Sequence, residues 1–458
     1  MKKNKYEIDM CNGTIMDKLI SFSLPLMVSG ILQLMFNAVD IIVVGRFSGS
    51  QALAAVGSTT ALINVFINLF MGISLGANVL AARYYAAGRD REMSETVHTS
   101  IMLALISGVV MAFVGVFFAK GALELMDTPA DVIDQSALYM RIYFMGMPFF
   151  MLYNYGAAIL RAVGDTKRPL YFLIVSGVIN AGLNMFLVIV FSLGVAGVAI
   201  ATVVSQAISC VLVLRCLYKS EGSYQLRFSK LCLKKDYIIP IFYIIPIFQV
   251  GIPAGIQSTV INFSNVLLQS SVNSFGSIAM AGYTAANNVL GFLYTSVNSV
   301  TQACMSFTSQ NYGVGKYKRM DKVLIDCLIL SSGIALVMGG GAYLFGTEIL
   351  QIYTGDPEVI RCGMEILSIT TVPYFLCGIM DLFPGALRGM GCSAVPMILS
   401  VIGTVGTRIV WIFGIFPQHR SLYVLFISYP GSWIITIIMQ VICYLIVRKK
   451  VHSRAAAV

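Results

Sequence analysis

Long apolar stretches separated by short polar ones make up nearly the whole chain. Twelve read as spans, at about 19–44, 52–82, 97–119, 135–160, 170–191, 195–217, 238–272, 279–309, 323–346, 360–387, 395–416 and 422–447. A helical span needs roughly 20 apolar residues. A membrane barrel would instead show alternating segments of about ten. The runs are unbroken, so helices, which satisfy their own backbone polar groups inside lipid, are predicted. The N-terminus MKKNKYEIDM is basic, and no small-residue cleavage site follows the first run. That run is read as a retained span, not a signal peptide.

The polar connections alternate in charge. One set holds Lys2, Lys3, Lys5 and Lys18, then Arg83, Arg89 and Arg91, then Arg161, Lys167 and Arg168. It continues with Arg215, Lys219, Arg227, Lys230, Lys234 and Lys235, then Lys316, Lys318, Arg319 and Lys322, then Arg388 and the tail Arg448, Lys449, Lys450 and Arg454. The opposite set has only Arg46, Lys120 and Arg420, with acids such as Glu124, Asp127, Asp131, Glu348, Asp356 and Glu358. Basic loops face the cytoplasm. An even number of spans with both termini in the cytoplasm is therefore expected.

Composition agrees. Of 458 residues, 57% are hydrophobic and 11% charged, against about 25% charged in soluble domains. The mean hydropathy is +0.82. A soluble enzyme and a disordered chain are both excluded. The net charge of +10 is explained by topology, so no nucleic-acid partner is expected. The ten cysteines are scattered, with no CxxC pair. No zinc site, redox pair or other cofactor is signalled.

The chain also repeats itself at an offset of 227. ILRAVGDTKRPL at 159–170 answers ALRGMGCSAVPM at 386–397, and AAGRDREM at 86–93 answers GVGKYKRM at 313–320. LELMDTPADVI at 123–133 answers LQIYTGDPEVI at 350–360, and Pro25 answers Pro253 one residue further out. Each half then holds six spans in the same orientation. Parallel repeats of this kind are related by an axis along the membrane normal, with substrate bound between them. The expected fold is an all-α membrane protein of twelve transmembrane helices in two six-helix bundles related by a pseudo-two-fold axis. The lobes are placed at 15–217 and 238–450, joined by a basic cytoplasmic linker at 218–237.

Three stretches carry a family resemblance: SLPLMVSGILQLMFNAVDIIVVGRFSG at 23–49, AILRAVGDTKRP at 158–169, and NAGLN with LGVAGVAIATVVSQ across 180–206. With these in order over nearly its whole length, the chain resembles the multidrug and toxic compound extrusion (MATE) transporters, near the branch with DinF-like and MepA-like members. The resemblance implies a transporter, not an enzyme. It implies export of small cationic or amphipathic compounds by antiport with H+ or Na+, by a monomer in the lipid bilayer. The alternative is a lipid-linked oligosaccharide flippase of the wider superfamily. Twelve spans, an acid in the first span and few buried arginines favour the antiporter.

Enzyme motifs read poorly. No GxxxxGK[ST] is present. GISLG at 72–76 matches G-x-S-x-G but lies inside an apolar helix, where small residues serve close helix packing. His98, His419 and His452 lie dispersed at loops or ends.

Charge within a span is costly and usually functional. Asp40, in the first span between FNAV and IIVV, is the leading candidate for proton loading and release. With Val44 as the outer end of the span, it lies about 6 Å deep at 1.5 Å per residue. The resemblance adds Asn180, Asn184 and Thr202, whose matching positions in relatives join the first-span acid. Asn180 and Asn184 are one helical turn apart and share a face. Their oxygens suit a weak sodium site or a protonated Asp40. Many relatives carry an acid where this chain has Asn184, which favours a proton. Asn154, Glu365, Asp381 and Arg408 complete the candidate set. Asp381 and Arg408, on sequential spans, are expected to pair. Arg141, deep in the fourth span, is expected to be paired or turned away. Sodium-coupled members of another branch use a Glu in the seventh span, but IPAGIQSTVINFSNV at 252–266 contains no acid.

Overall fold

The structure is a computed structural model that describes residues 5–126, 128–231 and 241–456. Asp127 and the linker stretch 232–240, with Cys232, Lys234 and Lys235, lie outside the described residues. No strand occurs among the described residues.

The first half contains α1 (Met16–Phe47), α2 (Gly49–Ala86), α3 (Asp90–Glu124), α4 (Ile133–Met145), α5 (Met147–Ala162), α6 (Lys167–Met185) and α7 (Gly194–Lys219). A π-helical turn, Phe186–Val190, extends α6. The second half contains α8 (Ile241–Asn273), α9 (Ser277–Gly313), α10 (Tyr317–Leu344), the short α11 (Gly346–Gln351), α12 (Pro357–Thr370) and α13 (Tyr374–Gly389). It ends with α14 (Ala394–Ser400), α15 (Thr407–Val410), α16 (Leu422–Phe426) and α17 (Ser428–Ala456). Two π-helical stretches, Val401–Gly406 and Trp411–Ile415, flank α15.

Among the described residues, nine helices are long and apolar enough to cross a membrane, and ten if α12 and α13, bent by 51°, form one span. Two more complete the twelve. The α4–α5 pair breaks at Gly146, before Pro148 at the second position of α5. The other is α9, whose face-by-face polarity has a structural cause. It packs against α10, α12 and α13, so lipid touches little of it. Its polar side chains turn back onto its own backbone, as Ser296 Oγ does to Phe292 O at 2.8 Å and Asn311 Nδ2 to Phe307 O at 2.8 Å. Helices at the periphery instead expose large apolar side chains such as Phe113, Phe117 and Val178, as a lipid-facing surface requires.

The chain forms two compact units. One takes residues up to Ile8 and Val28–Gly255; the other takes Asp9–Met27 and the chain from Ile256 onward. Each boundary inside a helix falls two residues after a proline, Pro25 in α1 and Pro253 in α8. The leading part of α8 belongs to the first unit because it meets α2 backbone to backbone. A Cβ on Gly72 would lie 2.2 Å from Gly255 N, and one on Gly76 2.1 Å from Ile247 O. Gly72 and Gly76 thus serve helix packing, as their place in an apolar run implied. Within the first unit α3 lies on α4 and α5, and α7 on α5 and α6; within the second, α13 packs on α9, α10 and α17.

The repeat is visible in the backbone. Gly49 (φ +87°), Gly88 (+66°) and Gly164 (+97°) recur 227 residues on as Gly276 (+93°), Gly315 (+73°) and Gly391 (+87°). Left-handed turns of this kind favour glycine because it has no Cβ.

Candidate functional site

The first unit gathers the leading candidates. α1 runs on to Phe47, so Asp40 lies about two turns from its end, deeper than an end at Val44 implies. α1 approaches α6 closely where Gly177 leaves room for the Phe36 ring, which a Cβ there would meet at 1.9 Å. One turn further along α1, Asp40 reaches Asn184. The Asn184 Nδ2 donates to Asp40 Oδ1 and, at 3.2 Å, to Asn180 Oδ1. Asn180 Nδ2 donates in turn to Thr202 Oγ1 at 3.5 Å, and Thr202 Oγ1 donates to Val198 O at 3.0 Å. Asn180 and Asn184 are buried, and Asp40 and Thr202 are partly buried. A hydrogen-bonded chain therefore runs from a single carboxylate through two amides to a hydroxyl, across α1, α6 and α7.

The Asn184 Oδ1 is buried and has no hydrogen-bond partner among the described residues. The Asn184 amide gives its nitrogen to two acceptors and keeps its oxygen open beside the carboxylate. The oxygens assembled here are hard donors of the kind that hold a proton or a small hard cation.

Two further residues belong to this neighbourhood and were not singled out from sequence. Tyr139 and Tyr143 of α4 lie within electrostatic reach of Asp40, and Tyr143 lies beside Gln206 of α7. The rings stack, with centroids 6.0 Å apart and 28° between planes. Their signal was the one-turn spacing in YMRIY, masked by the number of aromatic residues in the spans. Arg141, between them in sequence, is exposed, turned away from that side. Asn154 is buried, but its Nδ2 donates to Phe150 O of its own helix at 2.8 Å. Among the described residues no hydrogen bond joins it to the Asp40 chain.

In the second unit the expected pair of Asp381 and Arg408 does not form. No hydrogen bond or ion pair joins them among the described residues. Arg408 is buried at 3% exposure. Its Nη1 donates to Asn265 Oδ1 at 2.9 Å, and its guanidinium lies 4.2 Å from the Tyr429 ring centroid. An amide oxygen and a π face together stabilise a buried cation without a carboxylate. Asp381 instead lies in the field of Arg388, two turns along α13, and near Tyr294 of α9. Arg388 Nη2 donates to Gln257 Oε1 at 2.6 Å. Adjacent spans do not guarantee facing side chains, because the rotation of each helix decides. The π-helical stretches around α15 reset that rotation. Glu365 is exposed on α12, next to the buried Ile366 and Leu367. No cluster of three or more His, Cys, Asp or Glu residues is placed to hold a metal among the described residues.

The same arrangement of helices is found in known proteins. The MatE family matches residues 25–186 and 253–413, one stretch in each half. The chain is 31% identical over 438 residues to the probable multidrug resistance protein YoeA of Bacillus subtilis (strain 168), covering 94% of this chain and 93% of that protein. It is 22% identical to the multidrug export protein MepA of Staphylococcus saprophyticus, with 85% of each chain covered. A crystal structure of a MATE in complex with MaL6 superposes with a TM-score of 0.88 at 19% identity over 100% of both chains. Together with the twelve spans, these matches define a multi-pass membrane transporter and not an enzyme. The chain belongs to the MatE family, the multidrug and toxic compound extrusion transporters.

Proposed function

We propose that the protein is a secondary multidrug efflux antiporter, exporting cationic or amphipathic compounds in exchange for protons, with Asp40 as the coupling acid. The hydrogen-bonded chain Asp40–Asn184–Asn180–Thr202 carries this reading. An antiporter must bind its ion and its cargo differently in its different states, or the gradient does no work. One carboxylate meets that need. Ionised, Asp40 accepts from Asn184 and attracts a cation. Protonated, it becomes a donor, and the open Asn184 oxygen offers an acceptor. The charge that held the cargo is then gone. Sodium is the second coupling ion to weigh: four oxygen-bearing side chains stand together, but only one is charged, so weak binding is expected. The names of relatives such as YoeA and MepA support drug export. Basic loop charge supports cytoplasmic termini, and the reading takes a monomer as the working unit.

The test is gradient-driven uptake of a fluorescent cation into inverted vesicles under an imposed pH or sodium gradient. Asp40→Asn should leave an expressed, folded protein whose uptake falls to the vesicle background. Wild-type uptake in that variant would move the coupling residue elsewhere. Asn184→Asp should add sodium dependence. The flippase alternative draws on the buried Arg408, which suits anionic cargo. It would be favoured if the wild-type protein moved no cation under either gradient.

A further inference from the structure

A second site lies in the first unit, at the end away from Asp40. The N-terminal segment, the start of α6 and the end of α7 enclose an open cavity of about 700 Å³. That volume falls in the range of small-molecule sites, roughly 300–1,000 Å³. Its wall is rich in cations: Lys5, Arg168, Arg215 and Lys219.

The two acids on the wall do not balance them. Glu7 keeps its charge, but both its oxygens are engaged: Tyr85 donates its hydroxyl to Glu7 Oε2 at 2.8 Å, and Tyr224 donates to Oε1 at 2.6 Å. With Glu221, the described wall holds two carboxylates against four cations. Among the described residues Lys5, Arg215 and Lys219 make no ion pair or hydrogen bond through their side chains. Arg168 is bonded through Nε to Asp165, but its Nη2 is buried with no hydrogen-bond acceptor among the described residues. The cavity thus presents several donors and too few acceptors, which is the chemistry of a phosphate site.

The surface beside it adds a second requirement. Tyr171, Val175 and Val178 form an exposed stripe along α6, and Val204 and Val211 another along α7. Steps of three, four and seven residues keep each stripe on one helix face. Phe172 and Leu212 carry apolar surface into the cavity wall itself. A free anion has no use for these stripes, whereas a lipid has.

We propose that this cavity seats the phosphate of an anionic membrane phospholipid, its headgroup among Lys5, Arg168, Arg215 and Lys219 and its acyl chains along the apolar faces of α6 and α7. Basic pockets between spans on the cytoplasmic side are built for such headgroups. The helices concerned are those that carry Asn180, Asn184 and Thr202. At 1.5 Å per residue, Phe172 and Leu212 are roughly 12 and 15 Å along the helices from Asn180 and Thr202. The inference stands on its own geometry and does not depend on the coupling role of Asp40.

The experiment is native mass spectrometry of the full-length protein, delipidated in detergent and titrated with phosphatidylglycerol, phosphatidylcholine or inorganic phosphate. The wild type should retain phosphatidylglycerol in preference to phosphatidylcholine, and equal retention of the two would overturn the proposal without any variant. The variant K5Q/R215Q/K219Q changes only exposed side chains. Each neutralised cation should weaken phosphatidylglycerol binding about five-fold, and all three on the order of a hundred-fold. The control K449Q/K450Q, at the exposed end of α17, should bind as the wild type does. Equal retention of phosphatidylglycerol by the triple variant and the wild type overturns the proposal. So does wild-type binding of inorganic phosphate as tight as that of phosphatidylglycerol, which would assign the cavity to a soluble anion.

Discussion

The two units use the same helical plan and place different charges at repeat-related positions. At repeat-related positions the first unit has Asp40 and Thr202 where the second has Leu268 and Tyr429. The second has Arg408 where the first has Ala181, and Asp381 where the first has Asn154. One amide is shared, Asn37 answering Asn265. In the first unit a carboxylate sits among neutral oxygens. In the second a buried guanidinium sits on an aromatic ring and takes an amide oxygen. The left-handed glycines recur in both units. Turn geometry restricts the residue type, because few side chains tolerate that backbone. Positions facing the interior of a bundle carry no such restriction, so a duplicated scaffold can place an ion-responsive group in one half and a fixed cation in the other.

The sharpest way to break this comparison is to move the acid. Adding Leu268→Asp to Asp40→Asn should not restore gradient-driven uptake, because no chain of amides awaits a carboxylate there. Leu268 is fully buried, and taking a carboxylate out of water into an apolar core is destabilising. Leu268→Asp alone should therefore lower the melting temperature and the yield of folded protein in detergent. Restored uptake in the double variant would show the two positions to be interchangeable.

A second pair of variants addresses the cation. Asn265→Leu leaves Arg408 buried without its oxygen acceptor and should cost about 1–3 kcal/mol. Arg408→Met replaces the ion with an apolar chain of similar length, and such replacements are often neutral or stabilising. The combination N265L/R408M should melt above N265L alone. If losses simply add, Asn265 and Arg408 do not act together.

The smallest effect is expected at Asp381. Arg388 keeps its bond to Gln257 when the acid is neutralised. Asp381→Asn should shift stability by about 1 kcal/mol or less and leave coupled uptake in place. Loss of coupling in that variant would place a second working carboxylate in the second unit and remove the asymmetry between the halves.

Much of this was legible in the residues. Apolar run length predicted the spans, and the 227-residue offset predicted a repeated helical plan. The one-turn spacing of Asn180 and Asn184 placed them together, because helical periodicity is local. What failed was non-local. The rotation of α13 against the π-interrupted segment around α15 decides which group Arg408 meets, and no linear spacing reports it. Tyr139 and Tyr143 were hidden for a similar reason: an aromatic residue in a span reads the same whether it faces lipid or a carboxylate. The polarity of α9 followed from its being walled by neighbours, which only packing reveals.

The exchange of helix ends between units has a consequence for assembly during synthesis. The compact unit that holds most of the second half also takes in Asp9–Met27, and the first takes in Ile241–Gly255. A gene severed within the codons for 232–240 would encode two fragments, and neither would contain a whole unit. The first would lack the segment whose glycines lie against Gly72 and Gly76. The second would lack the stretch whose Phe22 ring packs edge-on against Phe307 at 5.7 Å. Each fragment expressed alone should be degraded, and the two together should complement. Completion of either unit must wait until the ribosome has delivered chain from both halves.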